Sequence, residues 1–220
     1  YCLVGSEMCI RDRAHTIYLL NDFHAQASAF LDPELIRRLQ TVRPGPGFGS
    51  GSVAIVGAGT GLGHATVMPV KDQYVVVPSE AGHATFCFQG KDEKEIEQFF
   101  VTRKNKSWIS NDDVVSGSGA ALLYECLSGE VVSPAQALSI YSAVPEAAHY
   151  FARFYARVCR NYCLTMHPVE RLIVSGGIAA KNPHLLESDA FISEFNDALH
   201  YRHLVERIPI CLNRDQGIGI

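Results

Sequence analysis

Three short stretches of this chain hold side chains that could do chemistry together. In "LLNDF", the carboxylate of Asp22 follows the amide of Asn21. Moving a phosphoryl group onto an alcohol needs an acceptor for the hydroxyl proton and a group that orients the hydroxyl, and an Asp beside an Asn could supply both. An ordinary helix cap explains the same pair equally simply. In "VAIVGAGTGLG", an apolar run delivers several glycines whose bare backbone N–H groups could approach a polyanion. A tight hairpin without a ligand is the plain alternative. In "PSEAGH", Glu80 and His83 stand three residues apart around Gly82, where they could hydrogen-bond neighbouring hydroxyls of a polyol or simply form a solvated turn.

Two other readings of the glycines fail on context. A dinucleotide fingerprint requires a helix after Gly63, but "HATVMPV" alternates like a strand. A Walker A loop requires Gly-Lys-Ser/Thr, which is absent from the segment. Cys159 and Cys163 sit one helical turn apart, a spacing open to a metal as well as to two buried thiols.

These stretches need elements to hold them. "NDFHAQASAFLDPELIRRLQ" reads as a helix opened by Asn21 or Asp22. "RPGPGFGSGS", residues 43–52, is linker-like and a candidate mobile loop. Next come a strand, the glycine turn, a second strand and a third around Tyr74–Val77, patterned as an antiparallel hairpin. "KEIEQFF" is helical, and the strongest helical period runs from about Glu146 to Met166 through Phe151, Phe154, Tyr155, Val158 and Tyr162. "RLIVSGGI" reads as a buried strand ending in a Gly-Gly turn, with helical residues after Asn182-Pro183 and a last strand at "IPICL". Strands alternating with helices make the fold class α/β.

Composition narrows the function further. The 220 residues carry a formal net charge of −4 and no basic stripe, so nothing argues for a nucleic-acid partner. No apolar stretch approaches the roughly twenty residues that span a bilayer, so no membrane role is expected. Residues 1–13 read as a translated sequencing adapter, because codons for Cys2–Arg13 can be written that contain a transposase adapter. They are set aside from fold reasoning, and the expected biological chain is 14–220. The five cysteines that remain form no C-x-x-C pair and suit a reducing, cytoplasmic compartment.

Taken in order, LLNDF, GAGTGLG, PSEAGH, "NDDVVSGSGAALLYE" and IVSGGI resemble the bacterial-type, non-zinc glucokinases of the actin-like ATPase superfamily, whose fold is ribonuclease H-like. The resemblance runs from Tyr18 to Gly219. It implies ATP-dependent phosphorylation of glucose to glucose 6-phosphate, with Mg²⁺, in an enzyme that allows a homodimer. Asp22 matches the catalytic base that takes the proton of the sugar 6-hydroxyl, and Asn21, Glu80 and His83 match sugar-binding residues. Gly59, Thr60 and Gly61 match a phosphate loop, and Gly176 and Gly177 match the adenosine motif.

Asp112 stands where the family has a longer sugar-binding Glu, which opens the hexose preference, and Ser118 replaces a family Pro. The zinc-binding cysteines of the related repressor and kinase group are missing after His83. The resemblance also places the family's first phosphate loop before this chain. The expected content is therefore a remnant of the smaller domain and hinge followed by the larger domain, inactive as an isolated piece. A kinase for another hexose and a non-catalytic sugar-binding protein are the alternatives.

Overall fold

Asp32 and Pro33 break the single helix expected from residue 21. In the computed structural model, which describes residues 22–217, helix α1 (Asp22–Ala29) stops before them and α2 (Pro33–Arg37) begins at the proline. Proline has no N–H to give the preceding turn and tolerates only a first-turn position. The Asp32 carboxylate then caps α2 by accepting the Glu34 N–H at 2.9 Å. Residues 1–13, with their adapter reading, lie outside the described residues.

Strand β1 (Gln40–Arg43) leads through the Gly/Pro segment to β2 (Ser52–Ala58), β3 (Leu62–Val70) and β4 (Gln73–Ser79). There follow α3 (Asp92–Lys104), α4 (Asn111–Val114), α5 (Gly117–Ser128), α6 (Pro134–Ala137) and α7 (Pro145–Thr165). The chain continues with β5 (Val169–Ser175), α8 (Gly177–Lys181), α9 (Pro183–Glu187), α10 (Asp189–Asn196), α11 (Arg202–Val205) and β6 (Ile210–Leu212). The six strands form one mixed sheet in the order β1-β6-β5-β2-β3-β4. Its centre, β6-β5-β2, is parallel, and the β2-β3-β4 side is antiparallel as expected.

The central strands are apolar over their fully buried stretches, Ala54–Val56, Leu172–Val174 and Ile210–Leu212, because both faces are covered there. Ala54, Val56, Leu172 and Val174 join the core of Phe151, Phe154 and Tyr155 from α7. The alternate residues Ile55, Ala65 and Ile173 join Phe23, Ala27 and Phe30 from α1. One sheet is thus sandwiched between helices, and its period of two sorts residues between the layers.

Helix α7 starts at Pro145 and also buries Arg157 completely, a charge that its apolar period does not announce. The guanidinium is held by Glu93 of α3 at 2.6 and 2.8 Å and by Glu194 of α10 at 2.8 Å, and it donates to the Cys87 carbonyl at 2.9 Å. Arg153 and Arg160 complete the cluster around the same carboxylates. Burial alone would raise the Glu194 pKa, but the Arg157 hydrogen bond and the neighbouring arginines hold it below the usual value. Three helices are therefore tied together by ions that cannot be removed singly at low cost.

The Gly/Pro segment 43–52 is anchored rather than loose. Gly47 N–H donates to the Arg207 carbonyl at 2.9 Å, Phe48 N–H to Glu170 at 2.7 Å, and the Phe48 ring meets His167 edge-on. It also enters β2 at the end opposite the glycine hairpin, so it does not close over that hairpin.

Two outcomes follow from these contacts. Arg157→Ala leaves two buried carboxylates without their main partner and should lower unfolding free energy by about 3–5 kcal/mol in guanidinium titration; a loss under about 1 kcal/mol would refute the role of the cluster. Asp113, which completes the capping box that Ser110 opens on α4, is raised by burial, but Lys106, Ser110 and Lys104 outweigh this and bring it to about 2. Because its folded pKa is depressed, its stabilisation is present above about pH 4 and lost as pH falls toward 2. Asp113→Asn should flatten that limb of the acid-unfolding curve.

Candidate functional site

The glycine hairpin is built by contact, and its glycines do different work. Gly57 and Gly63 face each other across β2 and β3. A Cβ on Gly57 would stand 2.6 Å from the Phe23 ring, and one on Gly63 would stand 2.4 Å from it. The pair is a bare platform that seats Phe23, and Phe23 fixes where α1 begins. Between them Gly59 N–H donates to the Gly61 carbonyl at 2.8 Å and closes the turn.

Other segments dock on this hairpin. Gly82 packs so tightly that a Cβ there would lie 2.2 Å from the Leu62 carbonyl oxygen. This seats the turn Ala81–His83, which is further held by Asn111 Nδ2 donating to the Ala81 carbonyl at 2.9 Å. Gly176 has a φ of +87°, and a Cβ there would stand 2.4 Å from the Ala58 carbonyl oxygen. The Leu62 N–H donates to Asp112 Oδ1 at 2.6 Å, and the Gly117 N–H at the start of α5 donates to the Gly59 carbonyl at 2.9 Å.

The result is a crevice of about 460 Å³ at the carboxyl ends of β2, β4 and β5. Ligand sites in open α/β sheets lie at this edge. Gly59, Thr60, Gly61, Gly176, Gly177, Glu80, His83 and Asp112 all line it. Glu80 Oε2 and His83 Nε2 are 3.7 Å apart and largely exposed, so both are available to a ligand. Asp112 Oδ1 is committed to the hairpin, so a ligand would meet its other oxygen. Asp22 opens α1 next to Phe23, which itself lines the crevice; the Asp22 side chain and all of Asn21 lie outside what the structure describes.

Sequence reasoning missed several lining residues, among them Gln26, Ser79, Gln216 and His64. His64 had a readable signal, since it alternates with Leu62 and Thr66 on an inward face of β3. It is 2 % exposed, neither ring nitrogen has a hydrogen-bond partner among the described residues, and burial lowers its pKa to about 4.

Strand β3 runs directly out of the glycine turn, which removes the context that a dinucleotide fingerprint needs. Cys159 and Cys163 are free and buried, and no cluster of three or more His, Cys, Asp or Glu suited to a metal occurs among the described residues. Among these residues no helix is long and apolar enough to cross a membrane. A larger hollow of about 770 Å³ lies between α7 and α10, but Arg153 and Glu194 there already belong to the buried ion cluster.

Comparison with known proteins agrees with this geometry. A glucokinase of Nostoc punctiforme is 28% identical over 237 residues, covering 93% of this chain and 69% of the relative. A crystal structure of glucokinase from an Antarctic psychrotroph superposes with a TM-score of 0.81 at 21% identity, covering 97% of this chain and 69% of that one. A glucokinase of Balamuthia mandrillaris, solved in complex with glucose, superposes with a TM-score of 0.78 at 18% identity, covering 91% and 62%. At such identities the structural likeness is one of fold, and that fold is the actin-like ATPase fold. The glucokinase family model matches residues 3–220, and the chain belongs to the glucokinase family.

Proposed function

We propose that the protein carrying this chain transfers the γ-phosphoryl group of ATP to the 6-hydroxyl of glucose. The observation that supports this best is the single crevice lined by both glycine turns and by Glu80, His83 and Asp112, with Phe23 holding the start of α1 against it. Glycine turns suit phosphates, and carboxylate and imidazole groups suit sugar hydroxyls.

In this reading Asn21, Glu80, His83 and Asp112 orient the hexose, and Gly59, Thr60 and Gly61 lie along the phosphates. Gly176 and Gly177 border the adenosine. The 6-oxygen attacks the γ-phosphorus while the bond from that phosphorus to the β–γ bridging oxygen breaks, so ADP leaves with the electron pair. Asp22 accepts the hydroxyl proton, a contribution of roughly 10²–10⁴ in rate. Mg²⁺ supplies charge neutralisation on the phosphates when bound.

Two further parts belong to the proposal. The chain comprises the larger domain with a remnant of the smaller one and a hinge, residues 14–220, and closure over the sugar keeps water from taking the phosphoryl group. The enzyme works in the cytoplasm and accommodates a homodimer. A second reading, phosphorylation of another hexose, is favoured by Asp112, which is one methylene shorter than the family Glu and already shares an oxygen with Leu62 N–H.

Asp22→Ala in the full-length protein should lower kcat at least 100-fold while glucose affinity by calorimetry changes only a few-fold. Retained turnover would remove Asp22 as the base. Gly82→Ala must push the 80–83 turn off Leu62 and should raise KM for glucose about tenfold or more, with a smaller change in KM for ATP. An unchanged glucose KM would show that this turn does not hold the sugar. A coupled assay across glucose, mannose, galactose and fructose separates the two readings, and binding without turnover of any of them would leave a sugar-binding protein.

A further inference from the structure

His64 is the one buried side chain lining the crevice whose polar atoms have no use among the described residues. Its ring sits inside the sheet edge, 4.7 Å from the Tyr162 ring in an edge-on arrangement, and a Cβ on Gly82 would be 3.7 Å from Nδ1. The turn carrying Glu80 and His83 is therefore its roof, and Ser79, its cross-strand partner on β4, is its neighbour in the crevice wall. Ser79 Oγ accepts from the Ala81 N–H at 3.2 Å, and the Tyr162 hydroxyl is paired with Thr66 at 2.8 Å. Both nearby hydroxyls already have partners, and the imidazole, neutral at working pH, keeps one donor and one acceptor unmet by the described residues.

Leaving such groups unpaired is costly, and an apolar residue of β type would pack here without that cost. A polar group kept at a loss beside a binding crevice gains its partner in the liganded state, and the difference between the two states is what a ligand can draw on. We infer that His64 is a specificity-determining residue of the hexose subsite: when the sugar binds against the 80–83 turn and the turn shifts off the ring, a ring nitrogen hydrogen-bonds one sugar hydroxyl, directly or through one water held by it. This rests on the hexose-kinase reading above. A site that reserves a buried group for a substrate hydroxyl discriminates strongly against the analogue that lacks it.

The test is steady-state kinetics of the full-length protein and its His64→Val, His64→Gln and His64→Asn variants with glucose and with its 2-, 3- and 4-deoxy analogues, beside thermal melts without sugar. His64→Val should melt higher than the natural protein, because two unmet polar atoms are gone, yet its KM for glucose should rise about tenfold with kcat within about twofold. For one deoxy analogue the penalty seen in the natural protein should vanish in His64→Val. Either His64→Gln, which places an amide near Nε2, or His64→Asn, near Nδ1, should restore much of the glucose affinity. An unchanged KM and an unchanged deoxy pattern in His64→Val overturn the inference. So does a KM that rises equally for every sugar with no rescue by either amide, the mark of mere packing. If His64→Val does not fold, the deoxy pattern in the two amide variants decides: a shift in the penalty for one analogue supports the inference, and a pattern identical to the natural protein's overturns it. Absence of turnover and binding in the natural protein itself would instead overturn the hexose-kinase reading.

Discussion

Main chain resting on main chain, closer than a Cβ would allow, holds this crevice together. Gly82 lies on the Leu62 carbonyl and Gly176 on the Ala58 carbonyl, while Gly57 and Gly63 accept a ring where side chains would otherwise stand. The β2-β3 hairpin is thus a hub. The 80–83 turn, the Gly-Gly turn after β5 and helix α1 rest on it by contact, and α4 and α5 reach it through hydrogen bonds to Leu62 and Gly59. Such contacts fix position through shape, so a methyl group at Gly82 or Gly176 displaces a whole segment rather than a side chain.

Much of this arrangement was legible in the sequence because periodicity reports burial. The alternation after Gly63 marked a strand rather than a helix, and the three- and four-residue spacing of Phe151, Phe154, Tyr155, Val158 and Tyr162 marked α7. The helix break at Pro33 was also written there, in the Asp-Pro dipeptide that a purely periodic reading of residues 21–40 overrode. Partnerships between distant residues were not legible. Nothing local to Glu93, Arg157 or Glu194 says that they meet, since each charge looks like part of a solvated face until three helices bring them together. The division of labour among the hairpin glycines was hidden for the same reason: two of them serve a ring more than thirty residues earlier in the chain.

The site combines two kinds of order. Its glycines and their backbone groups are placed by the sheet, whereas the side chains of Glu80 and His83 stand exposed on the turn that Gly82 and Asn111 seat. That difference suits a reaction in which phosphate must meet a prepared surface and the sugar must be gathered from solution before water is shut out. His64 belongs to the first kind of order by location and to the second by chemistry, since it is locked in a strand while its hydrogen bonds await the sugar. The actin-like fold by itself assigns none of this, because function rests on the side chains set along the sheet edge.

In the proposed reaction one crevice receives the hexose and the nucleotide together. A crystal structure of the full-length protein with glucose and a non-hydrolysable ATP analogue tests it most directly. Glucose should lie between Asp22 and the Glu80–His83 turn, its 6-oxygen facing a γ-phosphate that lies along Gly59–Gly61. Glucose bound elsewhere, or a carboxylate of Asp22 turned away from that oxygen, would contradict it.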